Sequence, residues 1–419
     1  MTAGAGYSYP LGLFEGYGLE LEYMIVDEAT LDIRPVADQL FRAAAGQDAS
    51  WHLPEGEDGL MGWSNELALH VLEFKTTRPT PRLDGMEQRF QQQVCEAEKL
   101  LKPLGCRLLP TGMHPWMNPD LETRLWPHEN NEIYAAYDRI FGCRGHGWSN
   151  LQSSHINLPF ANDEEFGRLH AAVRLVLPLL PALAASSPVV DGKWSPVADY
   201  RLEAYRTNSK RVPAMAGSLI PEPVFTRGDY EREVLGKLYT AMEGLDPEGV
   251  LRHEWANARG CIARFDRGSV EIRLLDSQEC PLADMAIVAL VGELVRALVE
   301  ERWLTYKQQR GIATEPLANV LVDTMRYAER ARVSERRMLE AMGIKRTMTW
   351  ASDVWGELLE ELMPSHPVWT PALRQMLAAG TLSTRISRLI RRYPTRGELH
   401  GVYAELADCL RSGSLFRVR

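Results

Sequence analysis

Gly18-Leu-Glu-Leu-Glu-Tyr-Met-Ile-Val-Asp27 alternates apolar and acidic side chains as far as Tyr23 and then turns continuously apolar. Alternation with a period of two is the signature of a β-strand. It places Glu20 and Glu22 on one face and Leu19 and Leu21 on the other. A lone Glu-x-Glu on a strand is usually a solvated face or half of a cross-strand ion pair. Two further segments repeat the spacing: His155 and Asn157 in 153–158, ended by Pro159, and Glu271 and Arg273 in 269–275. If these strands are neighbours, one sheet face gathers carboxylates, an imidazole, an amide and a guanidinium. Such a set is costly to bury unless cations or phosphates compensate it. A further strand-like run, 66–74, adds Glu66 and Glu73. Their separation is odd, so an unbroken strand sends them to opposite faces; a bulge or turn must intervene if both serve one site.

Oxygen-rich sites suit Mg²⁺ or Mn²⁺, which take carboxylates together with water and substrate phosphates. An arginine beside them suits phosphate, because its fork bonds two oxygens and stays charged. The chain contains no Gly-x-x-x-x-Gly-Lys-Ser/Thr loop and no dinucleotide-binding glycine fingerprint after a strand. A nucleotide here must be held by metals and arginines on a sheet. His155 taken alone would read as a structural histidine; His114 and His128 lack its neighbourhood and keep that reading.

The rest of the chain frames this set. It has 419 residues, 45% hydrophobic and 25% charged, and carries a formal charge of -9, as an ordinary globular protein does, and the length alone permits two or three domains. The acidic balance argues against nucleic acid as a partner. Six scattered cysteines without a C-x-x-C pair predict reduced thiols in a cytoplasmic protein. Residues 1–10 lack a basic start followed by an apolar core, so no signal peptide is expected. The apolar stretches 169–185 and 282–299 are interrupted by Arg174 and by Glu293 and Arg296, which predicts buried helices and no membrane span. A helix is expected over 82–104, a Gly/Pro turn over 105–110, and a helix capped at Asn162–Asp163 and divided by Pro178 and Pro181. The Arg-, Pro- and Ser-rich stretch 193–223 reads as a long functional loop. Pro281 opens a periodic helix through Ile287, Leu290, Leu294 and Leu298. No repeat or low-complexity linker occurs. The expected organisation is a catalytic domain over 1–303 and a helical C-terminal region, 304–419, packed on it.

Taken in order, Gly18-Leu-Glu-Leu-Glu-Tyr23, Glu66 through Glu73-Phe-Lys-Thr76, Gly112-Met-His-Pro-Trp116, Ser154-His-Ile-Asn157, Ala185-Ser-Ser-Pro188 and Val270-Glu-Ile-Arg-Leu-Leu-Asp276 resemble the type-2 glutamate–cysteine ligase family. These are the carboxylate–amine ligases of the glutamine synthetase superfamily. The resemblance implies an α+β fold, a glutamine-synthetase-like curved antiparallel sheet forming a funnel flanked by helices. It implies ATP and Mg²⁺ (or Mn²⁺) as cofactors. A small-molecule carboxylate would attack the γ-phosphate, and an amine would capture the acyl phosphate to give a γ-glutamyl-type or similar amide. By position, Glu20 and Glu271 would hold the metal nearest the ATP phosphates, and Glu22, Glu66 and Glu73 the metal nearer the substrate. His155 would meet phosphate or metal, with Asn157 and Arg264 also on the ATP side. Arg273 would neutralise the transferring phosphoryl group, with Glu271 and Arg201 completing the catalytic set. Arg201, Arg206 and Arg211 would contact substrate, although a surface role is equally ordinary for any arginine. A homodimer is also implied. The pattern departs from His-x-His relatives at Asn157, and around 205–211 and 257–267, where substrate would be chosen.

Three other readings keep the same residues. The chain would be a metal-dependent kinase or phosphatase of a small metabolite, a ligase acting on a peptide or protein recognised by the C-terminal helices, or an inactive regulatory homologue.

Overall fold

The alternation of 18–27 is realised as strand β1 (Gly18–Asp27), the central strand of a computed structural model that describes residues 8–47, 49–54 and 58–418. Residues 1–7, on which the leader reading largely rests, lie outside the described residues. The other strands of its sheet are β2 (Trp51–His52), β3 (Met61–Asn65), β4 (Val71–Thr76), β5 (Cys106–Leu109), β6 (Ser153–Pro159), β7 (Cys261–Arg264) and β8 (Ser269–Asp276). Their order is β2-β3-β4-β1-β6-β8-β7, with β5 also pairing β1. Every ladder is antiparallel. The fold is mixed α+β, an antiparallel sheet with helices.

One face of the sheet is apolar. Leu19, Leu21 and Tyr23 from β1, Ile156 and Leu158 from β6, and Val270 and Ile272 from β8 are all buried. Burying each such side chain contributes roughly 1.5–3 kcal/mol. They share a core with the helix α4 (Pro281–Val299), which is flanked by α1 (Met86–Leu101) and α2 (Asp163–Val176). α4 is buried almost all round, which is why its sequence is apolar on every side. Asn162 caps α2 by accepting from the Glu164 and Glu165 amides. The helical path then breaks at Leu177–Leu179 and resumes at Pro181–Ala184, as the two prolines predict.

On the other face, β1 explains its own change of pattern. Met24 and Val26 share the face of Glu20 and Glu22, yet both are completely buried. They pack with Leu109 of β5 under the helices α5 (Leu382–Leu389) and α6 (Arg396–Ser412), through Leu382, Ile386, Leu399 and Tyr403. The strand stops alternating where the C-terminal helices cover it.

Three expectations are corrected. The run 66–74 is not one strand: β3 ends at Asn65, β4 begins at Val71, and Glu66 lies in the connection. The turn at 105–110 is confined to Gly105, whose φ of 66° starts β5, a four-residue strand too short to show a period. The stretch 193–223 contains a helix, α3 (Tyr200–Asn208), capped by Asp199. Its apolar period is hidden because its buried positions include an arginine, Arg201, beside Leu202. None of the six cysteines is in a disulfide. No helix among the described residues is long and apolar enough to cross a membrane.

Candidate active site

Strand register sets the polar face. Glu20 stands opposite Lys75 of β4 and His155 of β6, and Glu22 opposite Glu73. Ser64 of β3 also faces Glu73, and Asn157 faces Glu271 of β8. The two residues that odd spacing seemed to separate meet because the β3–β4 connection turns the chain back between them. The carboxylates of Glu22, Glu66 and Glu73 can each offer an oxygen within 4.8 Å of the others, and so can Glu20, Glu73 and His155. A second parity change occurs in β8, whose pairing with β6 shifts by one residue between Ile272 and Leu275. That bulge returns Asp276 to the face of Glu271 although the two are an odd number of residues apart.

Hydrogen bonds fix the row. His155 Nδ1 lies 2.7 Å from Glu20, and Asn157 donates to the same carboxylate at 3.2 Å. Ser153 meets the other imidazole nitrogen at 2.9 Å and presents its amide to Glu22 at 2.8 Å. Glu73 accepts from Ser64 at 2.5 Å and pairs with Lys75 at 2.8 Å. Burial works to raise the Glu20 carboxyl, but the hydrogen bond and charge of His155, with Lys75 and Arg273, bring it down to about 2. His155 moves the opposite way: burial opposes its charge, and Glu20, Glu22 and Glu271 outweigh burial and raise it. Burial raises Glu22 and Glu73, and it raises Glu66 well above the usual range with help from the charges of Glu22 and Glu73. Three acids that resist ionisation together, beside an ion pair, form a donor set that a divalent cation would relieve.

Two hollows open over this face. A cleft of about 510 Å³ is lined by the acids, His155, Arg201, Arg264 and Arg273. The other hollow, about 520 Å³, is bounded by Tyr9, Gly18, Arg78, Asn157 and Gly268. Glu20, Lys75 and Arg267 line both, so the two compartments meet at Glu20.

The structure does not bring every expected residue to this place. Glu271 lies outside both donor groups: Arg273 grips it from Nε at 2.9 Å and Arg264 approaches at 3.5 Å. Arg201 does line the cleft, but the buried Asp276 holds its Nε, and its buried Nη2 has no partner. Arg206 and Arg211 do not line it. Arg201 and Tyr205 are four residues apart and share the inner face of α3, which carries the next residue, Arg206, outward to Glu203. Arg211 donates to the Ile140 carbonyl at 2.6 Å. Residue-by-residue reading missed Lys75, Ser153, Ser64, Asp276 and Tyr205. Lys75 and Ser153 carried a usable signal, each being two residues from a site residue, Glu73 and His155.

The glutamate–cysteine ligase family 2 model matches residues 17–405. An Archaeoglobus fulgidus protein of uncharacterised role is 37% identical over 287 residues, covering 68% of this chain and 75% of that one. A Nocardioides sp. protein provisionally named glutamate–cysteine ligase 2-1 is 33% identical over 301 residues, 68% of each chain. Among solved structures, the glutamate–cysteine ligase of Francisella tularensis in complex with AMP superposes with a TM-score of 0.58 over 97% of this chain and 90% of that one. At 11% identity the likeness is one of fold. The chain therefore belongs to glutamate–cysteine ligase family 2, and with that membership it is an ATP-dependent carbon–nitrogen ligase.

Proposed function

We propose that this protein joins a small-molecule carboxylate to an amine through an acyl phosphate, with the nucleotide in the hollow beside Gly18 and the two substrates in the cleft beyond Glu20. The observation that carries the reading is the meeting of two compartments over one row of acids, Glu22 and Glu73 buried and Glu20 and Glu66 half-buried. Mg²⁺ or Mn²⁺ fits the donor set; Glu20, Glu73 and His155 would hold one ion and Glu22, Glu66 and Glu73 another. When bound, such an ion neutralises phosphate charge at the point of transfer. The AMP complex of the Francisella tularensis enzyme supports a nucleotide on this fold.

The chain's own residues supply the rest. Glu271 fixes the plane of Arg273 and keeps its guanidinium charged, so that it is already aimed when phosphate charge develops. The unpartnered Nη2 of Arg201 offers a donor at the cleft wall to a substrate carboxylate or phosphate oxygen. Ser153 holds His155 and Glu22 in one orientation. The amine must reach the acyl phosphate as a free base, and the adjacent carboxylates accept its proton.

The test incubates the purified protein with ATP, Mg²⁺ and pools of acids and amines. ADP, phosphate and a new amide should appear only when acid and amine are both present. A stable phosphorylated metabolite, formed without amine, would replace this reading with phosphoryl transfer.

A further inference from the structure

Helix α3 brings three residues of one face to the cleft: Arg201, Tyr205 and Asn208, spaced by four and then by three. At that spacing helical side chains stand one above the next. The two ends of this row each hold an unmet hydrogen-bonding atom. Asp276 takes Arg201 Nε, but the buried Nη2 donates to nothing. Asn208 donates to the Gly147 carbonyl at 2.6 Å, while its buried amide oxygen accepts from nothing. Buried polar atoms are costly to leave unpaired. A donor at one end of a helix face and an acceptor at the other fit the two ends of one bound molecule.

Between those ends the cleft is aromatic. Tyr205 stands between Arg201 and Asn208 on α3, and Tyr134, Tyr137, Trp148 and Trp255 line the same cleft. The Tyr137 ring centroid is 5.1 Å from that of Trp148 and 6.2 Å from that of Trp255. Phe141 stacks on Trp148 at 5.2 Å, and Trp148 donates to the Asn208 carbonyl at 3.3 Å, which fixes the ring. Tyr134, Trp148, Tyr205 and Trp255 all keep part of their surface uncovered. A preformed wall of this kind binds flat apolar groups.

The position of Arg201 indicates which substrate this is. Arg201 shares the cleft with Glu22, and their charges act on each other. Glu22 belongs to the donor set assigned above to a divalent ion. A carboxylate bound to Nη2 is therefore delivered beside the metal row, where the γ-phosphoryl group arrives.

Resting on the ligase reading above, we propose that the acid substrate is an aryl carboxylic acid with a hydrogen-bond donor at its far end. Its carboxylate meets Arg201 Nη2, its ring lies against Tyr205 and Trp148, and its far hydroxyl or N–H meets the Asn208 amide oxygen. A carboxylate oxygen takes the γ-phosphoryl group and ADP leaves. The amine nitrogen then attacks the carbonyl carbon, phosphate departs, and the proton of the nitrogen passes to a neighbouring carboxylate. Glutamate could use Arg201 but brings nothing flat to the wall.

Three acids test this: para-hydroxycinnamate, cinnamate and glutamate. Binding to the full chain is read by titration calorimetry with Mg²⁺ and a non-hydrolysable ATP analogue, and turnover by ADP release with the amine pools. Para-hydroxycinnamate should bind at least about tenfold tighter than glutamate, and tighter than cinnamate, which lacks the far donor. Tyr205→Leu should weaken para-hydroxycinnamate about tenfold, as loss of a stacking surface does, whereas Tyr205→Phe keeps the ring and the affinity. Trp148→Leu serves as the second variant if Tyr205→Leu is unstable. Equal or tighter binding of glutamate, no binding of para-hydroxycinnamate, or indifference to its hydroxyl overturns the proposal. The two readings fail separately. Amine-dependent ADP release with glutamate preferred leaves the ligase standing and removes this acid. Selective para-hydroxycinnamate binding without any amine-dependent ADP release does the reverse.

Discussion

Glu20 sits where three interactions converge: the imidazole of His155, the amide of Asn157 and the charge of Lys75 across the strand pair. Its carboxyl is brought down to about 2 while Glu22, Glu66 and Glu73 are raised, and it borders both hollows. Glu20→Gln keeps the shape and the packing but removes charge that metal binding requires. ATP turnover should fall at least about a hundredfold with Tm little changed; near-normal turnover would move the site elsewhere. Ser153 touches both Glu22 and His155 without being a ligand itself. Orienting partners of metal ligands typically contribute about 10–100-fold, so Ser153→Ala should raise the Mg²⁺ requirement in that range and leave the chain folded. Arg273→Lys should be poorly tolerated, because an ammonium cannot hold Glu271 and a phosphate in one plane. At this scale much was legible: same-face spacing put Glu20, Glu22, His155 and Glu271 on one sheet face, where the strand register also puts them. The same two-residue spacing reaches Lys75 and Ser153, but it gives a lysine or serine no role until the cross-strand neighbours are known.

At the scale of elements, the site depends on two places where strand parity is broken. The β3–β4 connection brings Glu66 to Glu73, and the β8 bulge brings Asp276 to Arg201. The first break was required by the odd spacing. The second was invisible, because nothing in Leu274–Leu275 marks a bulge and the partner helix α3 was hidden by its buried arginine. Asp276 is the hinge of this arrangement. It accepts from the Ser186 amide at 2.8 Å and the Ser187 hydroxyl at 2.8 Å while holding Arg201. It also explains Gly112, where an added Cβ would lie 2.5 Å from the Asp276 carboxyl carbon. Asp276→Asn leaves a buried guanidinium without its counter-charge, a change that typically costs about 3–5 kcal/mol. A clear drop in Tm and in acceptance of the acid substrate is expected; a variant with wild-type denaturation midpoint would show that Arg201 is neutralised elsewhere. Gly112→Ala should give a milder version of the same loss by pushing the carboxylate off Arg201.

For the whole molecule, the decisive property is that a chain with a formal charge of -9 concentrates ionisable acids in a buried to half-buried row with only partial compensation. Its stability should therefore depend on pH in a direction that the site fixes. Glu22, Glu66 and Glu73 are raised, chiefly by burial, so the folded chain holds their protons more tightly than the unfolded one. Stability then falls as pH rises from near 4.5, the ordinary carboxyl value, through the raised folded values. His155 adds the same sign: its contribution is complete below 6.5 and is lost as pH climbs through its raised folded value. Glu20, brought down to about 2, acts oppositely, but its window lies below 4.5. In the presence of a chelator, Tm should therefore be higher near pH 5.5 than near pH 8.5. A divalent cation binds only the ionised row, so Mg²⁺ or Mn²⁺ should raise Tm, and more at pH 8.5 than at pH 5.5, where protons compete. At a hundred times Kd the gain is about 2.7 kcal/mol. Glu66→Gln removes the most strongly raised acid of the three and should flatten both the pH slope and the metal increment. Scanning calorimetry of wild type and variant at the two pH values, each with chelator and with Mg²⁺, measures all of these together. A Tm that rises with pH in chelator, or that ignores the metal at both, would mean that the row is neutralised by the protein itself and that the metal site lies elsewhere.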